Sequence, residues 1–354
     1  MKGFKKLLKA IGILLGLVVA AALALFVWLW ATEFRPEAEE PVTVEEPVEL
    51  PLNKVTFTVL SWNIGYSGLG EESDFFMDGG TMVRSDSKLV EKNYAGIQSF
   101  LSEAKTDFIL LQEVDSDSKR SCGKDEVSEL RAKLDGTSAY AMNYSTNYVP
   151  YPWPPLGRVH SGLLTFSNYE ITEAKRISLP CPFSWPMSMV NLKRCLLVTR
   201  IPIEDSEQQL VLVNLHLEAY DDGEGKLAQS KQLREFLAAE YEKGNYVLAG
   251  GDWNQIFPDS ETSYPNTHAE LWKPGYLDND ELNEGWNYVW DISAPSCRLL
   301  NQPYDPGDTR NTQYYVIDGF LASPNLIVEN VKTLDEGFRY SDHNPVLLTV
   351  SLGD

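Results

Sequence analysis

Eight short apolar runs set the terms on which this chain can fold: Val55–Trp62, Asp107–Gln112, Gly162–Phe166, Leu196–Ile201, Leu210–Leu217, Tyr246–Gly250, Val316–Leu321 and Val346–Val350. Each is five to eight residues long and rich in Val, Leu, Ile or Phe, which is strand material. Only two clear helical segments lie between them, Lys88–Ala104 and Lys226–Tyr241. In the second, Leu227, Leu233, Phe236 and Leu237 make an apolar face. Many strands with few helices predict packed sheets flanked by helices, not a βαβ array of the dinucleotide-binding kind. No G-x-G-x-x-G, P-loop or internal repeat is present. Thr137–Arg158 and Gln255–Tyr315 carry no clear pattern and read as long loops.

The N-terminus obeys different physics. Ala10–Thr32 holds 23 residues without a charge, preceded by Lys2, Lys5, Lys6 and Lys9. About 20 apolar residues span a bilayer as a helix. Lys before the span places residues 1–9 in the cytoplasm and 33–354 outside, and Trp28 and Trp30 suit the far interface. A cleaved signal peptide, leaving a secreted chain, is the alternative; its apolar core is usually about 7–15 residues. Residues 33–53 hold seven Glu with Pro36, Pro41, Pro47 and Pro51, and read as a stiff, extended spacer between the anchor and a domain over 54–354.

Net charge is −21 in 354 residues, of which residues 54–354 hold −19. That excludes a protein that coats nucleic acid through Lys and Arg. It does not exclude an enzyme that meets phosphate through a bound cation. Four cysteines (Cys122, Cys181, Cys195, Cys297) permit up to two disulfides, with three connectivities, and match no zinc spacing.

Chemically capable residues collect where apolar runs stop: Ser61-Trp62-Asn63, Leu111-Gln112-Glu113, Asn214-Leu215-His216, Gly251-Asp252-Trp253-Asn254, Ile317-Asp318 and Ser341-Asp342-His343-Asn344-Pro345. Asn214 and His216 share one face of their strand by the period of two. Any one of these is ordinarily a turn former or a core residue. Together, in this order, they resemble the endonuclease/exonuclease/phosphatase (deoxyribonuclease-I-like) superfamily over residues 54–352. The resemblance implies an α/β (α+β) four-layer sandwich: two packed, mostly antiparallel sheets flanked by helices. It implies hydrolysis of phosphoester or phosphodiester bonds with a divalent cation, Mg²⁺ or alternatively Mn²⁺. By the same resemblance Glu113 is the principal metal ligand, with Asn63 beside it and Asp342 as a further ligand. Asp252 orients or deprotonates water, Asp318 fixes His343, and His216 meets the phosphate or the leaving oxygen. Asn254 and Asn214 are candidate substrate or phosphate contacts. Gly65 stands where some family nucleases carry an acid.

The substrate is open between a lipid headgroup, a small molecule and nucleic acid. The aromatic, Pro-rich stretch Tyr148–Pro155, with Arg158 and His160 after it, reads as a lip with a phosphate-binding Arg or as a packed loop. A catalytically inactive surface-binding module on the same fold is the other class of reading. No obligate protein partner is evident.

Overall fold

The computed structural model describes residues 2–353, apart from 222, 269, 309 and 310. All eight apolar runs form strands. The first sheet runs β1 (Glu39–Pro41), β7 (Glu173–Ser178), β8 (Cys195–Pro202), β9 (Gln209–His216), β10 (Tyr246–Asp252), β16 (Asp318–Ala322), β13 (Asn287–Val289). The second runs β17 (Leu326–Thr333), β18 (Val346–Leu352), β3 (Thr56–Asn63), β4 (Phe108–Asp115), β6 (Gly157–Ser167), β5 (Thr137–Val149), β2 (Val44–Glu45). Only β9 with β10 and β3 with β4 are parallel within these sheets. Two-residue ribbons, β11 (Gln255–Ile256) with β12 (Gly275–Tyr276) and β14 (Cys297–Arg298) with β15 (Tyr314–Tyr315), punctuate the irregular stretch 255–315.

Strand periodicity explains the layering. Along β9, Leu210 and Leu212 meet Val59, Leu110 and Leu348 of the second sheet, while Val211, Val213 and Leu215 face outward. That outer face is covered by Leu233 and Leu237 of α4 (Glu224–Glu242). Tyr94, Ile97 and Leu101 of α2 (Ser87–Glu103), with Val127 and Leu130 of α3 (Glu126–Arg131), cover the outer face of the second sheet. Helix, sheet, sheet, helix is the four-layer sandwich. Asp86 starts α2 by accepting from the Lys88 and Leu89 N–H groups, a side-chain cap.

Two expectations are corrected. Thr137–Arg158 is no loop: β5 is a 13-residue strand paired with β6 along its length. Its small and hydroxylic residues pack Ala139 and Ala141 against Leu163 and Leu197. Residues 33–53 are not a free spacer either. Glu39–Pro41 adds to β7, Val44–Glu45 adds to β5, and Leu52 is buried with its N–H on the Pro202 carbonyl. The sheets would otherwise expose unpaired edges. Short strands satisfy those edges while most of the Glu side chains stay in water.

α1 (Lys2–Ala31) is long and apolar enough to cross a membrane, a property shared by a signal sequence, and its apolar window is unburied. Its last turns nonetheless touch the domain. Phe26 packs edge-on against Trp185 at 5.5 Å, Leu29 is buried, and Glu33 pairs with Lys193 at 3.3 Å. All four cysteines are free thiols.

Candidate active site

The polar strand ends converge at one edge of the sandwich, between the two sheets. Asp252 lies at the end of β10, opposite His216 of β9 on one side and Asp318 of β16 on the other. Gly251 makes this close approach possible: at φ +152° its Cα lies so near the Leu215 carbonyl that a Cβ would stand 1.9 Å from that oxygen. On the second sheet the β4–β6 ladder bulges between Leu111 and Val114, and Glu113 takes φ +54°. A bulge re-aims a side chain. Here it turns the Glu113 carboxylate to the edge, where 22% of it is exposed. Asn254 is likewise left-handed, at φ +50°. Strain at two such residues is a cost of about 1–3 kcal/mol each that packing elsewhere must offset.

Asn63 joins the sheets. Its amide N–H₂ donates to Glu113 Oε1 (3.2 Å) and to Asp252 Oδ2 (3.0 Å), while its oxygen accepts from the Gly65 N–H. In this orientation it positions the two carboxylates. His343 Nδ1 and Asp318 Oδ2 are 2.8 Å apart, and Asp318 also accepts from the Ser296 hydroxyl at 2.7 Å. The other ring nitrogen, Nε2, faces Asp252 Oδ2 at 3.7 Å; His216 Nε2 faces the same oxygen at 3.3 Å. Asn254 donates its backbone N–H to Asp252 Oδ1 and its amide to the Leu217 carbonyl.

Burial separates the two histidines. It pushes His216 well below the usual imidazole range, and the Arg194 charge pushes further the same way. Burial would do the same to His343, but Asp318, with Cys297 and Asp252, outweighs it and holds that ring well above its usual range. At neutral pH the edge thus holds one neutral and one charged imidazole. Asp252 is raised to about 6, chiefly by burial and in part by Asp318, against the pull of His343. Asp342 is raised to about 7, by burial and by the Glu113 charge. Environments that drive neighbouring pKa values apart are the mark of acid–base machinery.

The donors present fit a divalent cation. Glu113 and Asp342 are hard oxygen ligands whose charges oppose each other, and a cation between them offsets that repulsion. Asp252, Asp318 and His343 also offer ligand atoms within 4.8 Å of one another, but the Asp318–His343 hydrogen bond already occupies two of them.

Two other expected residues lie apart from this cluster. Asn214 is wholly buried between the sheets, donating to the Leu111 and Leu164 carbonyls and accepting from Gln112. Arg158 is on the rim, its guanidinium 2.5 Å from Asp117 Oδ1. Sequence reasoning missed Arg120, Ser296 and Arg194. Arg120 forks onto buried Asp115, stacks 3.7 Å over the Tyr66 ring and stands 3.6 Å from Glu113. Arg194 lies 3.6 Å from Glu218 and donates to the His216 carbonyl. None ends an apolar run; Asp115, two residues beyond Glu113, was the available signal for Arg120.

The model of the endonuclease/exonuclease/phosphatase family matches residues 60–343. The chain belongs to that family. Among solved structures, it resembles an endonuclease/exonuclease/phosphatase from Beutenbergia cavernae at 17% identity and TM-score 0.57, over 85% of this chain and 72% of that one. ANGEL2, a 2′,3′-cyclic phosphatase in complex with adenosine-2′,3′-vanadate, matches at 13% identity and TM-score 0.53, over 88% and 99%. The human Nocturnin catalytic domain with bound sulfate matches at 16% and 0.51, over 88% and 99%. These likenesses show a shared fold. No curated protein matches the sequence significantly.

Proposed function

We propose that this family member is a divalent-metal-dependent hydrolase of phosphoester or phosphodiester bonds, held at a membrane by α1 and acting outside the cytoplasm. The observation that carries the reading is the convergence on Asp252: Asn63 ties it to Glu113, and both histidines face its Oδ2. Phosphoryl transfer asks for charge neutralisation, an aligned nucleophile and a stabilised leaving oxygen. Asp252, ionised above about pH 6, accepts the proton of the attacking water, which Asn254 helps to orient. The charged His343 ring, braced by Asp318, presents an N–H to the phosphoryl oxygens. Neutral His216 contacts the phosphate or the leaving oxygen. Glu113 and Asp342, with Asn63 beside them, would hold Mg²⁺ or Mn²⁺, which when bound neutralises non-bridging oxygens.

The charge of −19 on residues 54–354 repels long polyanions, and salt screens that repulsion. A lipid or small phosphoester therefore ranks above DNA. The test is Mg²⁺-dependent turnover of bis-p-nitrophenyl phosphate by the full chain, with duplex DNA and phospholipid headgroup esters compared at low and moderate salt. No metal-dependent turnover of any ester would mark an inactive binding module. Efficient DNA cleavage at low salt, with no turnover of lipid or small esters, would reverse the ranking and identify an extracellular endonuclease.

A further inference from the structure

We propose that the catalytic edge lies against the bilayer, docked by two uncharged aromatic lips. This rests on α1 spanning the membrane. The first lip is the β7–β8 connection. No residue from Ile177 to Leu192 is charged, and Trp185 and Met187 are each 59% exposed. The second is the β5–β6 tip: residues 136–157 carry no charge, and Tyr151 and Trp153 are 71% and 88% exposed. In a domain of charge −19, two uncharged stretches ending in exposed aromatic rings are an exception that water does not explain. Trp and Tyr rings of this kind partition to the membrane interface.

Topology puts both lips at the catalytic edge. Leu196 of β8 pairs with Leu215 of β9, so the loop entering β8 emerges beside His216; Arg194 reaches the His216 carbonyl. Asp115 of β4 pairs with Ser161 of β6, so the hairpin tip before Gly157 projects beyond the strand end that carries Glu113. The Tyr144 hydroxyl, on β5, bonds the Val190 carbonyl and ties one lip to the other.

Depth then follows from α1. Trp185 packs on Phe26, six residues inside the outer end of the apolar run at Thr32. At 1.5 Å per residue that is roughly 9 Å along the helix. The whole run is about 34 Å long against a hydrocarbon core of about 30 Å. A ring held at that level is immersed at or inside the hydrocarbon boundary, and the edge it belongs to cannot stand off in water. The occupant of the lips is the lipid surface itself.

The test uses the full chain in phosphatidylcholine nanodiscs whose acyl chains carry bromine, which quenches nearby tryptophans. Trp153→Phe and Trp185→Phe should each lower the quenchable emission, by about the share of one tryptophan. Quenching unchanged in both variants would overturn the docking. The Trp28→Phe/Trp30→Phe double variant reports on the helix alone: if it does not lower the quenching, α1 is not embedded and the spanning reading fails first. Should a variant not fold, amide exchange of the wild-type chain gives the same answer. Residues 150–156 and 181–188 should exchange at least several-fold more slowly in discs than in detergent, and equal rates would overturn the proposal.

Discussion

Two clusters of buried charge, one at the catalytic edge and one on the outer face of the first sheet, resolve the same problem in opposite ways. On the outer face, the Arg200 guanidinium forks onto Glu240 with two bonds of 2.8 Å and also reaches Glu173 at 2.9 Å. Burial would raise Glu240, but Arg200 and Lys243 outweigh it and hold the carboxyl at about 2. At the catalytic edge Asp252 and Asp342 sit at about 6 and about 7, because burial disfavours their charge and a neighbouring carboxylate adds to it, more than the charged His343 offsets. One cluster is neutralised within the fold. The other keeps an uncompensated negative charge, which a divalent cation would offset.

The comparison breaks most sharply at Asp252. Asp252→Asn should lower kcat/KM by about 10⁴-fold while leaving the Tm equal or higher, since the raised pKa means that ionisation there opposes folding. A large fall in Tm would make Asp252 a structural residue. His343→Ala should cost about 10³-fold and Asp318→Asn somewhat less. The double variant should be little worse than His343→Ala, because residues acting as a unit are non-additive. Losses that multiply in full would separate the pair.

On the outer face, Glu240→Gln should leave turnover intact and destabilise by about 1–2 kcal/mol at pH 7, less than a fully buried pair loses because solvent screens this part-buried one. The sign is that of a depressed carboxyl. The stability it contributes is present above pH 4.5 and is lost as pH falls toward about 2, so the variant and wild type should converge in denaturant titrations at the acid end. Glu113→Gln should weaken apparent Mg²⁺ affinity by about 30-fold, by analogy with the 10- to 100-fold cost of disturbing a metal site. Calorimetry giving wild-type affinity would remove Glu113 from the ligand set. The smallest effect is a pH dependence: kcat/KM should rise with pH through an acid limb at or just below about 6, as Asp252 ionises. A flat profile from pH 5 to 7 would assign the base elsewhere.

The sandwich was legible in the sequence because its central strands are buried on both faces. A run such as Leu210–Leu217 is apolar except at Asn214, which the two sheets share, and at His216, where the strand reaches the catalytic edge. Strands with one wet or hydroxylic face were not legible. β5 spends its length on Ser, Thr, Tyr and Asn, and β7 breaks its apolar residues with Glu173, Lys175 and Arg176, so neither shows a run. At the catalytic edge, side chains that end strands could be read as a group. Ser296 and Arg120 could not, because each arrives from irregular chain whose path depends on the packing of everything else. The segment 33–53 misled through composition: Glu and Pro describe an extended backbone, and an extended backbone is also what a sheet edge accepts.

That last feature bears on how the protein can be released. Ectodomains are usually shed by cutting a stalk, and a protease needs several consecutive residues it can draw into its cleft. Here the stretch that would serve as the stalk is, from Glu39 onward, built into both sheets before it reaches Leu52. A cut within it would leave strands still hydrogen-bonded to their partners, and opening it for cleavage means unzipping an edge of the domain. Release of the folded domain from its N-terminal helix would therefore need a cut before Glu39 or an opened sheet edge.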